Sequence, residues 1–223
     1  MAQERLVFII AGGEIRDAGS LRSCIGERTP IAVLCADGGA RHVQALGLAP
    51  QMIVGDLDSL SEDLIGMFSA QGVAIRRYPA AKDKTDTELA FEAACEFQPS
   101  AIWVFGALGY RLDHTLANLS LLLKGQERNV PVKLRDEWCE VFLVAGACTI
   151  EGRIGQTVSL LPFWGTAAGV TLSGFEYPLE KGSMSMSSPF GISNRLAAER
   201  GTILVESGRL VVIRYFREGA FPS

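Results

Sequence analysis

The chain has 223 residues, of which 48% are hydrophobic and 21% charged, so it can bury one large core or two small ones. Its net charge of −4 argues against a protein that binds nucleic acid by neutralising phosphates, and no apolar run is long enough to span a membrane. Five cysteines without CxxC spacing and only two histidines disfavour a disulfide framework and a zinc site. The same cysteines, and an amino terminus unlike a signal peptide, favour a reduced cytoplasmic protein.

Short apolar runs alternate with helical patterns over the first 135 residues. The runs are almost continuously apolar, which is typical of strands in a parallel sheet that helices cover on both faces. We therefore predict an α/β domain over residues 1–136, with strands at LVFII (6–10), IAVLC (31–35), MIV (52–54), VAIRRY (73–78), AIWVF (101–105) and VPVKL (130–134).

Three helices of this domain have recognisable signals. Ser59 and Thr85 each precede a glutamate by three residues, the spacing of a capping box, and so predict helix starts. A third helix is predicted from about Asp113. Its leucines at 112, 116, 119 and 123 share one face, which we expect to pack in the core.

From about residue 140 the pattern changes to short, often alternating strands separated by glycine, proline and serine. This texture is typical of a small antiparallel β domain, which we predict over residues 137–223. Residues 206–209, between two of these strands, are predicted to form a hairpin turn.

Acidic residues follow the predicted strands of the first domain. Asp37 follows the second strand, Asp56 and Asp58 the third, Asp83 and Asp86 the fourth and Asp113 the fifth. Each alone is a common helix cap or turn residue. Ligands, however, bind at the carboxyl edge of an open parallel sheet, where these side chains would converge. Their coincidence therefore favours a functional role.

These carboxylates, with neither histidine nor cysteine among them, suit a hard cation, and we expect Mg²⁺ before Mn²⁺ or Ca²⁺. The same loops carry Lys82, Lys84 and Arg111, which suit phosphate groups but can also be solvated surface cations. Glycines in these loops would let backbone amides approach an anion. Together these features predict a Mg²⁺–nucleotide site.

Several well-known signatures do not occur in the sequence. The absence of GxxxxGK[ST], GxGxxG after the first strand and GxSxG disfavours a P-loop enzyme, a dinucleotide-binding protein and a serine hydrolase. His42 is interpreted as structural. His114, beside Asp113 at a predicted helix start, is interpreted as a neighbour of the site.

Six motifs occur in order along the chain: CADGGA (35–40), GDLDS (55–59), DKTD (83–86), GYRLDHTLAN (109–118), GFEYPL (174–179) and GISN (191–194). This set resembles the thiamine pyrophosphokinase family over nearly the whole chain. The resemblance implies an ATP-binding α/β domain, a thiamine-binding β-sandwich, and a homodimer whose thiamine site lies between subunits. It also implies that the hydroxyethyl oxygen of thiamine attacks the β-phosphorus of ATP and that AMP leaves.

Carried over from these motifs, the resemblance implies catalytic roles for Asp56, Asp58, Asp86 and Asp113, the first three also as Mg²⁺ ligands. It implies ATP-binding roles for Asp37, Gly38, Lys82, Thr85, Arg111 and His114, and thiamine-binding roles for Asp86, Tyr177, Ser193 and Asn194. An aromatic ring at Tyr177 would stack on the electron-poor rings of thiamine. Arg195, after GISN, stands where an acid is more often expected.

Two alternatives stay open. The same fold could transfer a pyrophosphoryl group to another alcohol, although GFEYPL and GISN argue against this. A non-catalytic thiamine or nucleotide sensor is disfavoured because every acidic motif is intact. The residue patterns also leave both Asp86 and Asp113 as candidates to accept the proton of the attacking hydroxyl.

Overall fold

The computed structural model of the protein describes residues 4–109 and 111–217, and the chain divides into two units, Met1–Glu137 and Trp138–Ser223. The first unit contains the strands β1 (Leu6–Ile10), β2 (Ala32–Ala36), β3 (Met52–Gly55), β4 (Ala74–Arg77), β5 (Ala101–Phe105) and β6 (Val132–Arg135). These strands run parallel in the order β6-β5-β1-β2-β3-β4. The carboxyl ends of all six therefore share one edge.

The helices of this unit are α1 (Ala18–Ile25), α2 (Val43–Leu46), α3 (Glu62–Ala70), α4 (Asp86–Cys95) and α5 (Leu112–Glu127), with a 3₁₀ turn at Asp37–His42. Side chains of α1, α2 and α3 share a buried cluster with Phe8 and Ile10 of β1. Alternation along β1 turns Val7 and Ile9 to the other face, and α4 also packs on this strand. The predicted parallel sheet with helices on both faces is confirmed.

Strands inside the sheet are more buried than the strand at its edge, as the strand order predicts. Strands β1, β2 and β3 are buried at every residue, which explains their continuous apolar sequences. Strand β4 stands at the edge and carries two arginines. No helix within residues 4–109 and 111–217 is long and apolar enough to cross a membrane.

Serine and threonine side chains cap the helices after β3 and β4. Thr85 caps α4 as predicted, since its Oγ1 accepts a hydrogen bond from the Glu88 amide at 3.2 Å. The cap of α3 is Ser61, whose Oγ accepts from the Leu64 amide at 3.3 Å. The predicted start at Ser59 is wrong because residues 58–59 form a turn and Leu57 before them has a φ of 65°.

The apolar face predicted for α5 is only partly buried. Leu119 is buried, whereas Leu112 and Leu116 are exposed and Leu123 is half-buried. Helix α5 packs on β6, where Gly125 lies so close to Val132 that a Cβ would collide with it. This contact fixes which side of the helix is buried, and the leucine spacing alone predicted the wrong side for the first turns.

The second unit contains the strands β7 (Cys139–Val144), β8 (Ala147–Glu151), β9 (Thr157–Leu161), β10 (Ala167–Ser173), β11 (Leu179–Met184), β12 (Asn194–Arg195), β13 (Arg200–Leu204) and β14 (Leu210–Tyr215). They form two antiparallel groups, β12-β9-β14-β7 and β11-β10-β13-β8. One apolar cluster includes residues from both groups, among them Val158, Leu160, Val170 and Ile203. The predicted antiparallel β-sandwich is confirmed.

The connection between β13 and β14 is not a hairpin, contrary to the prediction. Strand β13 pairs with β8 and β10, whereas β14 pairs with β7 and β9 in the other group. Gly208, with a φ of 82°, lies against the backbone of Thr166 where the chain passes between the groups. A glycine turn between two strands is therefore compatible with a crossover as well as with a hairpin.

Gly39 offers a test of how tightly the turn after β2 packs. A Cβ on Gly39 would collide with the carbonyl of Ile10, whose position is fixed by β1. We expect Gly39→Ala to destabilise the first unit by about 1–3 kcal/mol or more, since backbone cannot yield as a side chain does. Hydrogen exchange of the β1 and β2 amides in increasing urea would measure this.

Gly66→Ala is the matched control, because Gly66 is exposed in α3 and a Cβ there meets nothing within 4 Å. Alanine should stabilise that helix by up to about 1 kcal/mol. Equal stability of the two variants would contradict the tight packing inferred at Gly39.

Candidate active site

A cavity of about 550 Å³ opens at the carboxyl edge of the parallel sheet. Its walls come from the loops that follow β1, β2, β3, β4 and β5 and from the first turns of α5. Eight of the predicted site residues line it: Asp37, Gly38, Asp56, Lys82, Thr85, Asp86, Arg111 and His114. The topology therefore brings these residues together although they are distant in sequence.

Two glycine loops form one wall of the cavity. The Gly13 amide donates to the Gly106 carbonyl at 3.0 Å, which holds the loops after β1 and β5 together. A Cβ on Gly13 would collide with that carbonyl, so the close approach requires glycine. Backbone of this kind can come near a phosphate without steric hindrance.

Four carboxylates, which we call the acid cluster, lie at the centre of the edge: Asp37, Asp56, Asp58 and Asp86. Carboxylate oxygens of Asp37, Asp56 and Asp58 lie within 4.8 Å of one another. A Cβ on Gly55 would stand 3.0 Å from Asp37 Cβ and 3.1 Å from Asp86 Oδ1, which brings Asp86 into the same group. Asp58 belongs to the acid cluster but does not line the cavity.

Lys82 is the basic side chain in contact with this cluster. Its Nζ lies 3.0 Å from Asp56 Oδ2 and 2.9 Å from Asp86 Oδ1. The hydrogen bond from Lys82 lowers the pKa of Asp56, whereas burial raises the pKa of Asp86 despite the same lysine. Burial tends to lower the pKa of Lys82, but its bonds to Asp86 and Asp56 raise it overall.

The cluster is chemically suited to a cation. Asp37 is 8% exposed, and its Oδ1 is buried without a hydrogen-bond partner among the described residues. A buried carboxylate oxygen left unsatisfied is unfavourable unless a positive charge compensates it. The donors are all oxygens, which fits Mg²⁺. Asp37 was predicted among the acids that suit a hard cation and was assigned to ATP, but its burial was not predicted, because a sequence does not reveal it.

Asp113 has a different environment. The Arg111 guanidinium forms a bidentate ion pair with Asp113, with Nε 3.0 Å from Oδ1 and Nη2 2.5 Å from Oδ2. Both side chains are exposed. The Arg111 guanidinium keeps the pKa of this carboxyl well below its usual range. Asp113 does not line the cavity that Arg111 lines.

Several further residues of the cavity wall were not predicted, among them Arg41 and Asn118. Arg41 Nη1 donates to the Ser59 carbonyl at 3.1 Å, and buried Asn118 donates through Nδ2 to the Ala107 carbonyl at 2.9 Å. Both residues lie inside the family motifs or next to them, which is the signal that could have identified them. Lys84 lines the wall too but is paired with Glu92 at 2.7 Å, which favours its surface role.

The predicted thiamine-binding residues other than Asp86 lie in the second unit. Tyr177 is 69% exposed, and Ser193 is exposed with a φ of 59°. Asn194 is buried, its Oδ1 accepts from the Tyr177 amide at 3.1 Å, and its Nδ2 donates to the Tyr177 carbonyl at 2.9 Å. The Asn194 side-chain amide therefore orders the Tyr177 backbone, and its bond to the aminopyrimidine stays a prediction.

Comparisons with known proteins agree with this architecture. Residues 28–134 match the family model described as thiamin pyrophosphokinase, catalytic domain, and residues 147–210 match that described as thiamin pyrophosphokinase, vitamin B1 binding domain. Thiamine pyrophosphokinase of Bacillus subtilis is 33% identical over 212 residues, which cover 94% of this chain and 98% of that protein.

Solved structures extend this similarity to the fold. The crystal structure of thiamine pyrophosphokinase from Bacillus subtilis superposes with a TM-score of 0.84 at 30% identity, covering 96% of this chain and all of the other. That of thiamin pyrophosphokinase from Geobacillus thermodenitrificans gives 0.81 at 31% identity, covering 97% of this chain and all of the other. With its motifs in order, its two units and a relative above 30% identity over nearly its whole length, this chain belongs to the thiamine pyrophosphokinase family.

Proposed function

We propose that the protein transfers the pyrophosphoryl group of ATP to the hydroxyethyl oxygen of thiamine, giving thiamine diphosphate and AMP. The observation that carries this proposal is the acid cluster with its unsatisfied Asp37 oxygen, set beside glycine loops and basic side chains in one cavity. Pyrophosphoryl transfer depends mainly on alignment of the reactants and on neutralisation of phosphate charge. The cavity has groups suited to both tasks.

Asp56, Asp58 and Asp86 are the proposed Mg²⁺ ligands, with Asp37 as a further carboxylate in the same group. A bound Mg²⁺ ion would neutralise phosphate charge and make the phosphorus more electrophilic. The buried Asp37 oxygen supports this assignment, because the protein itself leaves that oxygen uncompensated.

The other proposed ATP-binding residues surround the acid cluster. Gly38 and the loops at 12–13 and 106 offer backbone that can approach phosphate oxygens. Lys82 and Arg111 bring positive charge to the same wall, while Thr85 and His114 line it near the starts of α4 and α5. Asp113 would act on this site indirectly, by orienting the Arg111 guanidinium.

In the proposed step the thiamine hydroxyl oxygen bonds to the β-phosphorus. The bond from that phosphorus to the oxygen bridging the α-phosphate breaks, and AMP leaves with the electron pair. The hydroxyl proton passes to a carboxylate, and Asp86 suits this role better than Asp113. Asp86 lines the cavity, whereas Asp113 does not line it and is paired with Arg111.

The experiment that tests this function is a product assay with thiamine, ATP and Mg²⁺. We expect AMP and thiamine diphosphate in equal amounts, and neither in the presence of EDTA. ADP with thiamine monophosphate would mean attack at the γ-phosphorus and would contradict the proposed step. AMP release with a different alcohol but not with thiamine would favour the alternative acceptor.

Asp56→Asn should lower kcat by about 100-fold or more, since metal-assisted charge neutralisation supplies several kcal/mol in reactions of this type. The fold should persist, because asparagine has nearly the same shape. Steady-state kinetics with circular dichroism would check both points. Asp83→Asn is the matched control, since Asp83 lies in the same loop as Lys82, is exposed and does not line the cavity. Near-normal turnover of Asp56→Asn would exclude the proposed metal role.

Tyr177→Ala should raise the KM for thiamine about tenfold, because stacking of a cationic ring on an aromatic face contributes about 1–2 kcal/mol. The KM for ATP should change little. Tyr177→Phe keeps the ring and should behave like the wild type. Equal KM values for thiamine in the alanine and phenylalanine variants would rule out stacking on this side chain.

The protein is also proposed to be a homodimer with its thiamine sites between subunits. The second unit has exposed apolar side chains, namely Tyr177, Met186, Phe190 and Ile192, which support an interface on this unit. If sites are shared, mixing Asp56→Asn with Tyr177→Ala rebuilds one intact site in each mixed dimer. At low thiamine concentration the mixture should then recover roughly a quarter of the wild-type rate. Sites contained within single subunits would give no recovery.

A cytoplasmic location is the remaining proposal. None of the five cysteines, all of which lie in the described residues, forms a disulfide. Reduced thiols are the usual state in the cytoplasm. The net charge of −4 gives no reason to expect a nucleic-acid partner.

A further inference from the structure

Lys82 lies between two of the carboxylates proposed as metal ligands. Its Nζ lies between Asp56 Oδ2 and Asp86 Oδ1, at 3.0 and 2.9 Å, and only 14% of its side chain is exposed. Both carboxylates belong to the proposed Mg²⁺ site. The ammonium therefore occupies the space between these two oxygens, and an ion that bound both of them would have to move it.

The acid cluster remains under-compensated even with this lysine in place. Lys82 contacts two of the four carboxylates, Asp56 and Asp86, and Asp37 Oδ1 is buried without a hydrogen-bond partner among the described residues. This oxygen is a second, independent sign that the cluster is built for a cation other than the lysine. Lys82 neutralises only the side of the cluster formed by Asp56 and Asp86.

We propose that Lys82 is a tethered cation that holds Asp56 and Asp86 in the metal-free protein, and that Mg²⁺ displaces it when the site is filled. This inference rests on the proposed function. Mg²⁺ binds carboxylate oxygens at about 2.0–2.1 Å, so an ion in this gap and the ammonium would be close like charges and would repel each other.

The displaced ammonium has another partner available. Lys82 lines the same cavity as the glycine loops and Arg111, where the polyphosphate of ATP is proposed to lie. Phosphate oxygens there would replace the carboxylates as its hydrogen-bond acceptors. Metal and nucleotide should therefore bind with positive coupling. Mg²⁺ would free the Lys82 ammonium to bind phosphate, and phosphate would stabilise the ammonium away from the carboxylates.

The test measures Mn²⁺ binding to the full-length protein by electron paramagnetic resonance, without substrate turnover. Lys82→Met should bind Mn²⁺ about tenfold more tightly than the wild type when no nucleotide is present, since the competing charge is gone. A non-hydrolysable ATP analogue should tighten Mn²⁺ binding in the wild type and much less in the variant. Lys82→Arg should resemble the wild type, because it keeps the charge.

Lys124→Met is the matched control. Lys124 is also paired with an acid, Glu88 at 2.8 Å, but it does not line the cavity. Its removal should leave the Mn²⁺ affinity unchanged. If Lys82→Met fails to fold, Lys82→Gln removes the charge while keeping a donor for one carboxylate.

Weaker or unchanged Mn²⁺ binding in the uncharged variants would overturn the proposal, since Lys82 would then support the metal rather than compete with it. The result is separable from the proposed function. If the wild type makes thiamine diphosphate but Lys82→Met does not bind Mn²⁺ more tightly, only the proposed displacement of Lys82 is disproved. A wild type that binds neither Mn²⁺ nor the nucleotide analogue disproves both.

Discussion

Repulsion between carboxylates at one edge of a buried sheet is the constraint on which the rest of this structure depends. Asp37, Asp56 and Asp58 have oxygens within 4.8 Å of one another, and Asp86 joins them beside Gly55. Such a group destabilises the folded protein unless positive charge enters it. The surrounding sheet must therefore be rigid enough to hold the side chains together in spite of that repulsion. Three fully buried parallel strands meet this requirement.

The backbone also helps to hold the carboxylates together, at a cost in conformational strain. Asp37 has a φ of 41° and Leu57 a φ of 65°, both in the left-handed region that side chains other than glycine disfavour. Aspartate tolerates this conformation better than most residues, but leucine does not. Leu57 is also buried, so its packing helps to offset the strain. Asp37 is itself one of the carboxylates and Leu57 lies between Asp56 and Asp58, which links local strain to the geometry of the site.

Features of the fold and the site that depend on residues close together in sequence could be predicted, and those that depend on distant residues mostly could not. The fold class followed from continuous apolar runs, because burial on both faces leaves that pattern in each strand separately. The convergence of the acids followed from topology, because all parallel strands end at one edge. The capping role of Thr85 is a contact within four residues and was predicted correctly.

Interactions between distant segments were not predictable in the same way. The bond of Arg41 to the Ser59 carbonyl and that of Asn118 to the Ala107 carbonyl depend on how loops meet, which no local pattern encodes. The buried side of α5 was misassigned for the same reason, since the contact of Gly125 with β6 decides it. The glycine turn before β14 was likewise predicted to be a hairpin, but β14 pairs with β7 and β9 and not with β13. Strand pairing depends on the whole sandwich and not on the turn alone.

Asp86 and Asp113 illustrate why residue type alone does not define a role. Both are aspartates in the first turn of a helix, at the same edge of the same sheet. Asp86 is partly buried beside other carboxylates, and burial raises its pKa even though Lys82 is in contact with it. Asp113 is exposed and forms an ion pair with Arg111, which lowers the pKa of Asp113. Burial, neighbouring charge and access to the cavity therefore distinguish these two residues where their sequence context does not.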